Sequence, residues 1–356
     1  MRYLLTGGGT AGHVNPLLAV ADAIRLDDSS AEVIALGTAE GLESRLVKER
    51  GYELLTIAKL PFPRRPNAYA FSFLPRFAKA VTTCRRILRD RKIDAVVGFG
   101  GYASAPAYLA AALERIPLVI HEANALPGLA NRLGAGVAKV IAVAFKNTPL
   151  KNSVHVGMPL RSEIIEAATS GSRAAARKHF GLAADAPTLL VTGGSLGAKH
   201  INEVVESSIH VLEAAGIQVL HIVGGGSDLA ELKEKGYVRL AYCDRMDLAI
   251  LAANFAVSRA GASTVSEFTA LALPALYIPY AVGNGEQAKN IAEVVNAGGA
   301  ITLADRDFSR DFVSDQVVPL MSNSKKLETM SVAARKCGNL DGTTQLLKLI
   351  KGVVSV

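Results

Sequence analysis

The chain has 356 residues, half of them hydrophobic, and carries 39 Lys and Arg against 32 Asp and Glu, a net charge of +7. That length suits about two domains with sizeable cores, and the composition excludes a disordered or fibrous chain. Cys84, Cys243 and Cys337 are scattered without a C-x-x-C spacing, so reduced thiols are expected rather than a disulfide frame or zinc site. No uncharged apolar run approaches the roughly 20 residues of a membrane-spanning helix. The first residues already read as a strand, so no signal peptide is expected.

In chain order, residues 2–6 read as an apolar strand that opens through Gly7-Gly8-Gly9-Thr10-Ala11-Gly12-His13 onto a helix over 17–25. Strand, glycines and helix start make an anion cradle. Missing Cβ atoms let backbone N–H groups approach a ligand, and the helix start adds unpaired donors. Further strands are expected at 32–36, 53–57, 95–99, 118–120, 140–143 and 154–156, with helices over 42–50, 71–92 and 106–115. After Gly157-Met158-Pro159 the pattern restarts. A helix over 173–179 leads to a strand at 188–192, which opens through Gly193-Gly194-Ser195-Leu196-Gly197 onto a helix reaching 215. Strands at 219–223, 239–241, 255–257, 275–278 and 300–303 follow, and a last helix over 343–351. Alternating strands and helices mean an α/β chain with two doubly wound parallel sheets. The expected division is 1–156 and 157–342, with the terminal helix crossing back onto the first domain and a ligand cleft at the carboxyl ends of the strands.

Several motifs carry chemistry. Gly7-x-Gly9-x-x-Gly12 has the spelling of a dinucleotide fingerprint, but the second strand ends Leu36-Gly37-Thr38 without the ribose-binding acid, and no Gly-Lys-Ser/Thr follows. Neither a nicotinamide site nor a P-loop is expected. His13 stands at the helix start, where a neutral imidazole can take a proton or orient a hydroxyl. His121-Glu122-Ala123-Asn124 follows a buried strand; Glu122 is a second candidate base, and Asn124 can donate and accept toward a sugar. Ser195 adds a hydroxyl to the second glycine turn. Arg259-Ala260-Gly261-Ala262-Ser263-Thr264-Val265-Ser266-Glu267 is a small-residue turn into a helix, suited either to a diphosphate and ribose or to plain helix capping. Asn284-Gly285-Glu286-Gln287, with Lys289 and Asn290, is a polar loop leading into a helix. Asp305-Arg306-Asp307 spells D-x-D but reads as turn chemistry, and no metal or other cofactor is called for.

Residues 59–92 are basic and aromatic. Arg64, Arg65, Arg76, Lys79 and several later Arg and Lys face a single acid, Asp90, and are interleaved with Phe62, Tyr69, Phe71, Phe73, Leu74 and Phe77 around Pro66 and Pro75. A core-facing helix with a solvated basic face is one reading; the phenylalanines near Pro75 favour an anionic membrane surface as the expected partner, through Phe71, Phe73, Leu74, Arg76, Phe77 and Lys79. No nucleic-acid-binding module is recognisable, so no nucleic-acid partner is expected.

Taken together the motifs resemble those of the bacterial peptidoglycan N-acetylglucosaminyltransferases of glycosyltransferase family 28, which turn lipid I into lipid II. The stretches that carry the resemblance are Gly8-Gly9-Thr10-Ala11-Gly12-His13 with Pro16, Gly100-Gly101-Tyr102, His121-Glu122-Ala123-Asn124, Gly157-Met158-Pro159-Leu160-Arg161, the 193–197 and 259–267 turns, and Gln287-Ala288-Lys289-Asn290. They run nearly the length of the chain in the family's order. The resemblance implies a GT-B fold, two Rossmann-like domains facing a central cleft. It implies UDP-N-acetylglucosamine as donor, undecaprenyl-pyrophosphoryl-N-acetylmuramyl-pentapeptide as acceptor, and a peripheral position on the cytoplasmic face of the cell membrane. It implies Thr10, Ala11 and Gly12 near the sugar and acceptor, and Asn124 on the sugar. Arg161, Ser195, Ala262, Ser263, Thr264, Val265, Ser266 and Glu267 would lie on the nucleotide and diphosphate, Cys243 on uracil through its backbone, and Gln287 on sugar hydroxyls. The chain departs from the family pattern at Ala11, where glycine is usual, at Ala123, where glutamine is usual, and at Glu286.

The expected reaction is an inverting displacement in which the muramyl 4-hydroxyl attacks the anomeric carbon, UDP leaves, and His13 or Glu122 takes the proton. The first loop, read initially as a phosphate cradle, is then expected on the acceptor side. Two other readings fit the architecture: a UDP-N-acetylglucosamine 2-epimerase, and a non-catalytic nucleotide-sugar-binding protein.

Overall fold

The computed structural model describes residues 1–63, 68–280 and 285–354; Arg64, Arg65, Pro66 and Asn284 lie outside the described residues. The chain divides into two compact units. Unit 1 comprises Met1–Arg161 with Asp341–Val356, and unit 2 comprises Ser162–Leu340.

Unit 1 begins β1 (Arg2–Thr6), α1 (Ala11–Asp27), β2 (Glu32–Gly37), α2 (Glu43–Glu49), β3 (Glu53–Thr56) and α3 (Ala68–Asp90). It continues β4 (Ala95–Gly98), α4 (Ser104–Glu114), β5 (Leu118–Glu122), α5 (Leu129–Gly134), β6 (Val140–Val143) and β7 (Val154–His155). Unit 2 runs α6 (Ser162–Ser170), α7 (Arg173–Phe180), β8 (Thr188–Thr192), α8 (Lys199–Ala214), β9 (Gln218–Ile222), β10 (Leu232–Glu234), β11 (Tyr237–Leu240) and α9 (Met246–Ala252). It ends β12 (Phe255–Ser258), α10 (Ala262–Ala270), β13 (Ala275–Tyr277), α11 (Glu286–Asn290), α12 (Ala292–Asn296), β14 (Ala300–Thr302), α13 (Arg310–Phe312), α14 (Val318–Met321) and α15 (Ser324–Cys337). The terminal helix α16 (Gly342–Val354) belongs to unit 1.

The first sheet is ordered β3-β2-β1-β4-β5-β6-β7 and is parallel throughout. Both faces are covered, which is why its strands are apolar runs rather than alternating ones. The strand period of two sends neighbours to opposite cores. Leu5 packs with Val14, Leu17, Leu346 and Ile350 on the α1 and α16 side, and Leu4 with Val81, Leu88 and Ala107 on the α3 and α4 side. Leu346 and Ile350 thus complete the core of unit 1, and Lys351 pairs with Asp27 at 2.8 Å. Thr343 Oγ1 donates to the Leu160 carbonyl at 3.0 Å.

The second sheet is ordered β10-β11-β9-β8-β12-β13-β14, parallel except for the β10–β11 pair. Its core includes Leu189, Val191, Ile201, Phe255, Val257 and Phe308. In each sheet the strand order reverses beside the strand that feeds a glycine turn, β1 in unit 1 and β8 in unit 2. Such a switch point leaves a crevice at the strands' carboxyl ends.

The helical period sorts the aromatic segment. In α3, Phe73, Val81, Cys84 and Leu88 are buried, whereas Phe71 is 85 % and Leu74 73 % exposed. Phe73, expected at a membrane, is only 8 % exposed and packs edge-on to Phe62 and Tyr69. Phe77 stacks on Phe73 with ring centroids 5.7 Å apart, so both rings serve the core. The outward set is Phe71, Leu74, Arg76 and Lys79.

Candidate active site

In unit 1 the loop after β1 turns into α1 at Thr10, whose extended backbone (φ −133°, ψ 158°) makes it the N-cap. Its side chain makes no cap hydrogen bond; the Thr10 hydroxyl instead meets His13 Nδ1 at 3.2 Å. Ala11 is the first helical residue, and its φ is not positive, so the methyl group in place of the family's glycine sits without strain. Burial lowers the His13 pKa below its ordinary 6.5, while Glu122, the Gly8 carbonyl and Glu43 pull it back upward. His13 is therefore neutral near pH 7 and able to accept a proton.

A second loop, after β4, packs onto the first. Gly100 (φ +87°) and Gly101 (φ +91°) have left-handed backbone that favours glycine. A Cβ on Gly101 would come 2.5 Å from the Gly8 carbonyl, and one on Gly100 would come 3.3 Å from His13 Nε2. The Gly100 N–H donates to the Tyr108 hydroxyl at 3.2 Å, and Tyr108 donates to Asn131 Oδ1 at 2.8 Å. Asn131 Nδ2 in turn donates to Glu122 Oε2 at 2.9 Å.

Glu122 ends β5 and is 2 % exposed. Its carboxylate also accepts from the Asn124 N–H at 2.8 Å and the Gly128 N–H at 2.9 Å, so it pins the 123–128 loop. Asn124 is half-buried at the start of that loop. His121 is fully buried; its Nε2 meets the Gly157 carbonyl at 3.0 Å, and desolvation holds its pKa down to about 4. Arg161 is half-buried at the last position of unit 1 before Ser162.

In unit 2 the loop after β8 carries positive φ at Gly194 (+86°) and Gly197 (+80°). It packs backbone to backbone on the loop after β9, the Gly225 N–H donating to the Ser195 carbonyl at 3.1 Å. Ser195 is half-buried beside exposed Leu196. The turn after β12 starts α10 at Gly261, with no side-chain cap. The capping alternative is thus not realised, and the Ser263 hydroxyl is buried without a hydrogen-bond partner. Uncapped N–H groups beside an uncommitted hydroxyl suit an anion. Within α10, Ala262, Val265 and Glu267 are buried, while Thr264 and Ser266 are half-buried.

Gln287 and Asn290 brace the same turn. Gln287 Oε1 accepts from the Ala260 N–H at 3.1 Å and the Tyr280 N–H at 2.9 Å, and Asn290 Nδ2 donates to the Ala260 carbonyl at 3.1 Å. With its oxygen so occupied, Gln287 has its amide N–H groups to offer a ligand. Arg259 pairs with Asp305 at 2.5 Å and donates to the Ile278 carbonyl at 3.1 Å. The D-x-D stretch thus forms a 3₁₀ turn tied to Arg259. Cys243 is buried in the loop between β11 and α9.

Two domain models account for most of the chain. Residues 3–143 match the glycosyltransferase family 28 N-terminal domain and residues 188–346 match the glycosyltransferase family 28 C-terminal domain. The chain belongs to glycosyltransferase family 28. A Clavibacter sepedonicus protein named UDP-N-acetylglucosamine--N-acetylmuramyl-(pentapeptide) pyrophosphoryl-undecaprenol N-acetylglucosamine transferase is 54 % identical, covering 99 % of this chain and 96 % of its own length. The crystal structure of Acinetobacter baumannii MurG superposes with a TM-score of 0.77 at 29 % identity, covering 99 % of each chain. The fold is GT-B. A Neisseria meningitidis UDP-GlcNAc 2-epimerase superposes at 0.68 with 12 % identity over 99 % of this chain and 100 % of its own, a likeness of fold alone.

Of the residues expected in this family-28 chain, unit 1 brings together Thr10, Ala11, Gly12, His13 and Glu122, and unit 2 brings together Ser263, Glu267 and Gln287 around the α10 turn. Asn131, Tyr108 and Glu43 escaped the sequence reading although all three are buried polar members of the first cluster. Each bonds to backbone or to a residue far along the chain, and such pairing leaves no local pattern to read.

Proposed function

We propose that this chain transfers N-acetylglucosamine from UDP-N-acetylglucosamine, with inversion, to the muramyl 4-hydroxyl of undecaprenyl-pyrophosphoryl-N-acetylmuramyl-pentapeptide, making lipid II for the cell wall. The observation that carries this reading is the 54 % identity, over 99 % of the chain, to a transferase whose name states that donor, that acceptor and the sugar transferred. Unit 2 binds the donor and unit 1 the acceptor.

In this mechanism the 4-hydroxyl oxygen attacks the anomeric carbon as the bond to the UDP oxygen breaks. His13 takes the hydroxyl proton; the accepting nitrogen is Nδ1, the one that faces the exposed Thr10 hydroxyl. Glu122 orients the 123–128 loop through its hydrogen bonds to the Asn124 and Gly128 N–H groups, and with it Asn124, which contacts the sugar. Negative charge gathers on the leaving diphosphate, where backbone N–H groups of the Ser195 and Ser263 turns and the Arg161 guanidinium stabilise it. Glu267 holds the ribose, Gln287 a sugar hydroxyl through its amide nitrogen, and the Cys243 backbone the uracil. Phe71 and Leu74 enter the cytoplasmic leaflet while Arg76 and Lys79 meet its anionic headgroups.

The test incubates the protein with labelled UDP-N-acetylglucosamine and a lipid I analogue in detergent. Label is expected in the lipid product only when acceptor is present. Conversion of the sugar without acceptor would favour an epimerase, and UDP binding with no turnover would favour a binding protein.

A further inference from the structure

Glu43, on α2, was not singled out by any motif, yet it lies under the first glycine loop with only 1 % of its surface exposed. Its Oε2 accepts from the Gly9 N–H at 2.8 Å. Its Oε1 accepts from the Thr38 N–H and the Thr38 hydroxyl, each at 2.8 Å. A Cβ at Gly8, Gly37 or Gly41 would overlap the Glu43 side chain. None of these three glycines has a positive φ, so what requires glycine there is room for the carboxylate, not backbone freedom. Gly9, the loop residue that Glu43 holds, does have a left-handed φ of +91°. Its N–H, expected to face a ligand anion, is occupied from within.

Only a carboxylate fits this position. Each oxygen accepts from a backbone N–H, so a glutamine must point its own N–H groups at either Gly9 or Thr38, donor against donor. Aspartate is one methylene too short to span both. We propose that Glu43 is the positioning residue of the acceptor loop, fixing Gly9 so that Thr10 and His13 are presented in the geometry that receives the acceptor hydroxyl. This rests on the transferase reading given above.

The test compares wild type, Glu43→Gln and Ile350→Ala in the full-length protein. Ile350 is a buried core residue of α16 and controls for lost stability. Glu43→Gln is expected to lower kcat/KM for the lipid I analogue about 10- to 100-fold while the Kd for UDP stays within twofold, and Ile350→Ala to change neither. Hydrogen–deuterium exchange, which needs no substrate, is expected to speed at least tenfold over residues 7–12 in Glu43→Gln and to stay at the wild-type rate there in Ile350→Ala. Wild-type acceptor kinetics and wild-type exchange in Glu43→Gln would overturn the assignment, as would equal losses in both variants. Failure of the wild type to transfer sugar would overturn the transferase reading instead, and exchange would still decide whether Glu43 sets the loop.

Discussion

His13 and Glu122 lie within electrostatic reach of one another and differ in what their polar atoms have left to give. The Glu122 carboxylate accepts from two backbone N–H groups and from Asn131, whereas His13 Nδ1 faces a hydroxyl at the exposed edge of its loop. His13→Ala is expected to lower kcat about 100-fold or more, the usual worth of a general base, with UDP affinity unchanged in a titration. In the wild type the acid-side fall of kcat/KM should lie at lower pH than the 6.5 of an ordinary imidazole, because burial lowers the His13 pKa and protonation there removes the base. Glu122→Gln must turn an N–H toward a donor. It should cost about 1–3 kcal/mol of stability, read as a lower melting temperature, and slow turnover through the displaced loop. Full activity in both variants would remove both residues from the mechanism.

At the scale of elements, α3 separates a core stripe from an outward one, and the outward stripe is the membrane prediction. Phe71→Asp with Leu74→Asp should weaken sedimentation with anionic vesicles by about tenfold or more, since each apolar side chain contributes roughly 1.5–3 kcal/mol when buried. Turnover of a water-soluble acceptor should not change. The segment's basic, aromatic and helical character is legible in the sequence; which rings face the core is decided by tertiary packing, which turns Phe73 and Phe77 inward and leaves Phe71 and Leu74 outside. Both glycine turns were legible, because strand, glycines and helix start follow one another without a gap. The strand β10 and helix α15 were not. The first is a three-residue antiparallel edge reading Leu-Lys-Glu, and the second buries only Leu327, Met330 and Ala334 along fourteen residues. Of the site, the residues at strand ends and glycine turns are legible, whereas Glu43 and Asn131 are not, because Gly9 and Tyr108, which join them to the site, lie 34 and 23 residues away. The terminal helix carries its own prediction: Leu346→Ala and Ile350→Ala should each destabilise unit 1 by about 2–5 kcal/mol in denaturant titration.

His121 in unit 1 and His221 in unit 2 are fully buried away from the reacting groups, and desolvation holds both near pKa 4. His221 is further held between the Tyr237 hydroxyl at 2.8 Å and Asn202 Oδ1 at 3.1 Å. An unfolded imidazole gains its proton near pH 6.5 and the folded ones only near 4, so the unfolded state binds more protons between those values. Both contributions are complete above pH 6.5 and are lost as pH falls to 4, by about 3 kcal/mol each. Melting followed across that window should show His121→Asn flattening the acid dependence of unit 1 and His221→Asn that of unit 2. For the molecule as a whole, family membership is fixed by sequence, and the fold is shared with enzymes that only rearrange the donor sugar. The most direct test is therefore the transfer assay with labelled UDP-N-acetylglucosamine and a lipid I analogue. Label appearing in the lipid with release of one UDP per sugar, in an acceptor-dependent reaction that His13→Ala slows about 100-fold, is the predicted result; turnover of the sugar nucleotide that is indifferent to acceptor would contradict it.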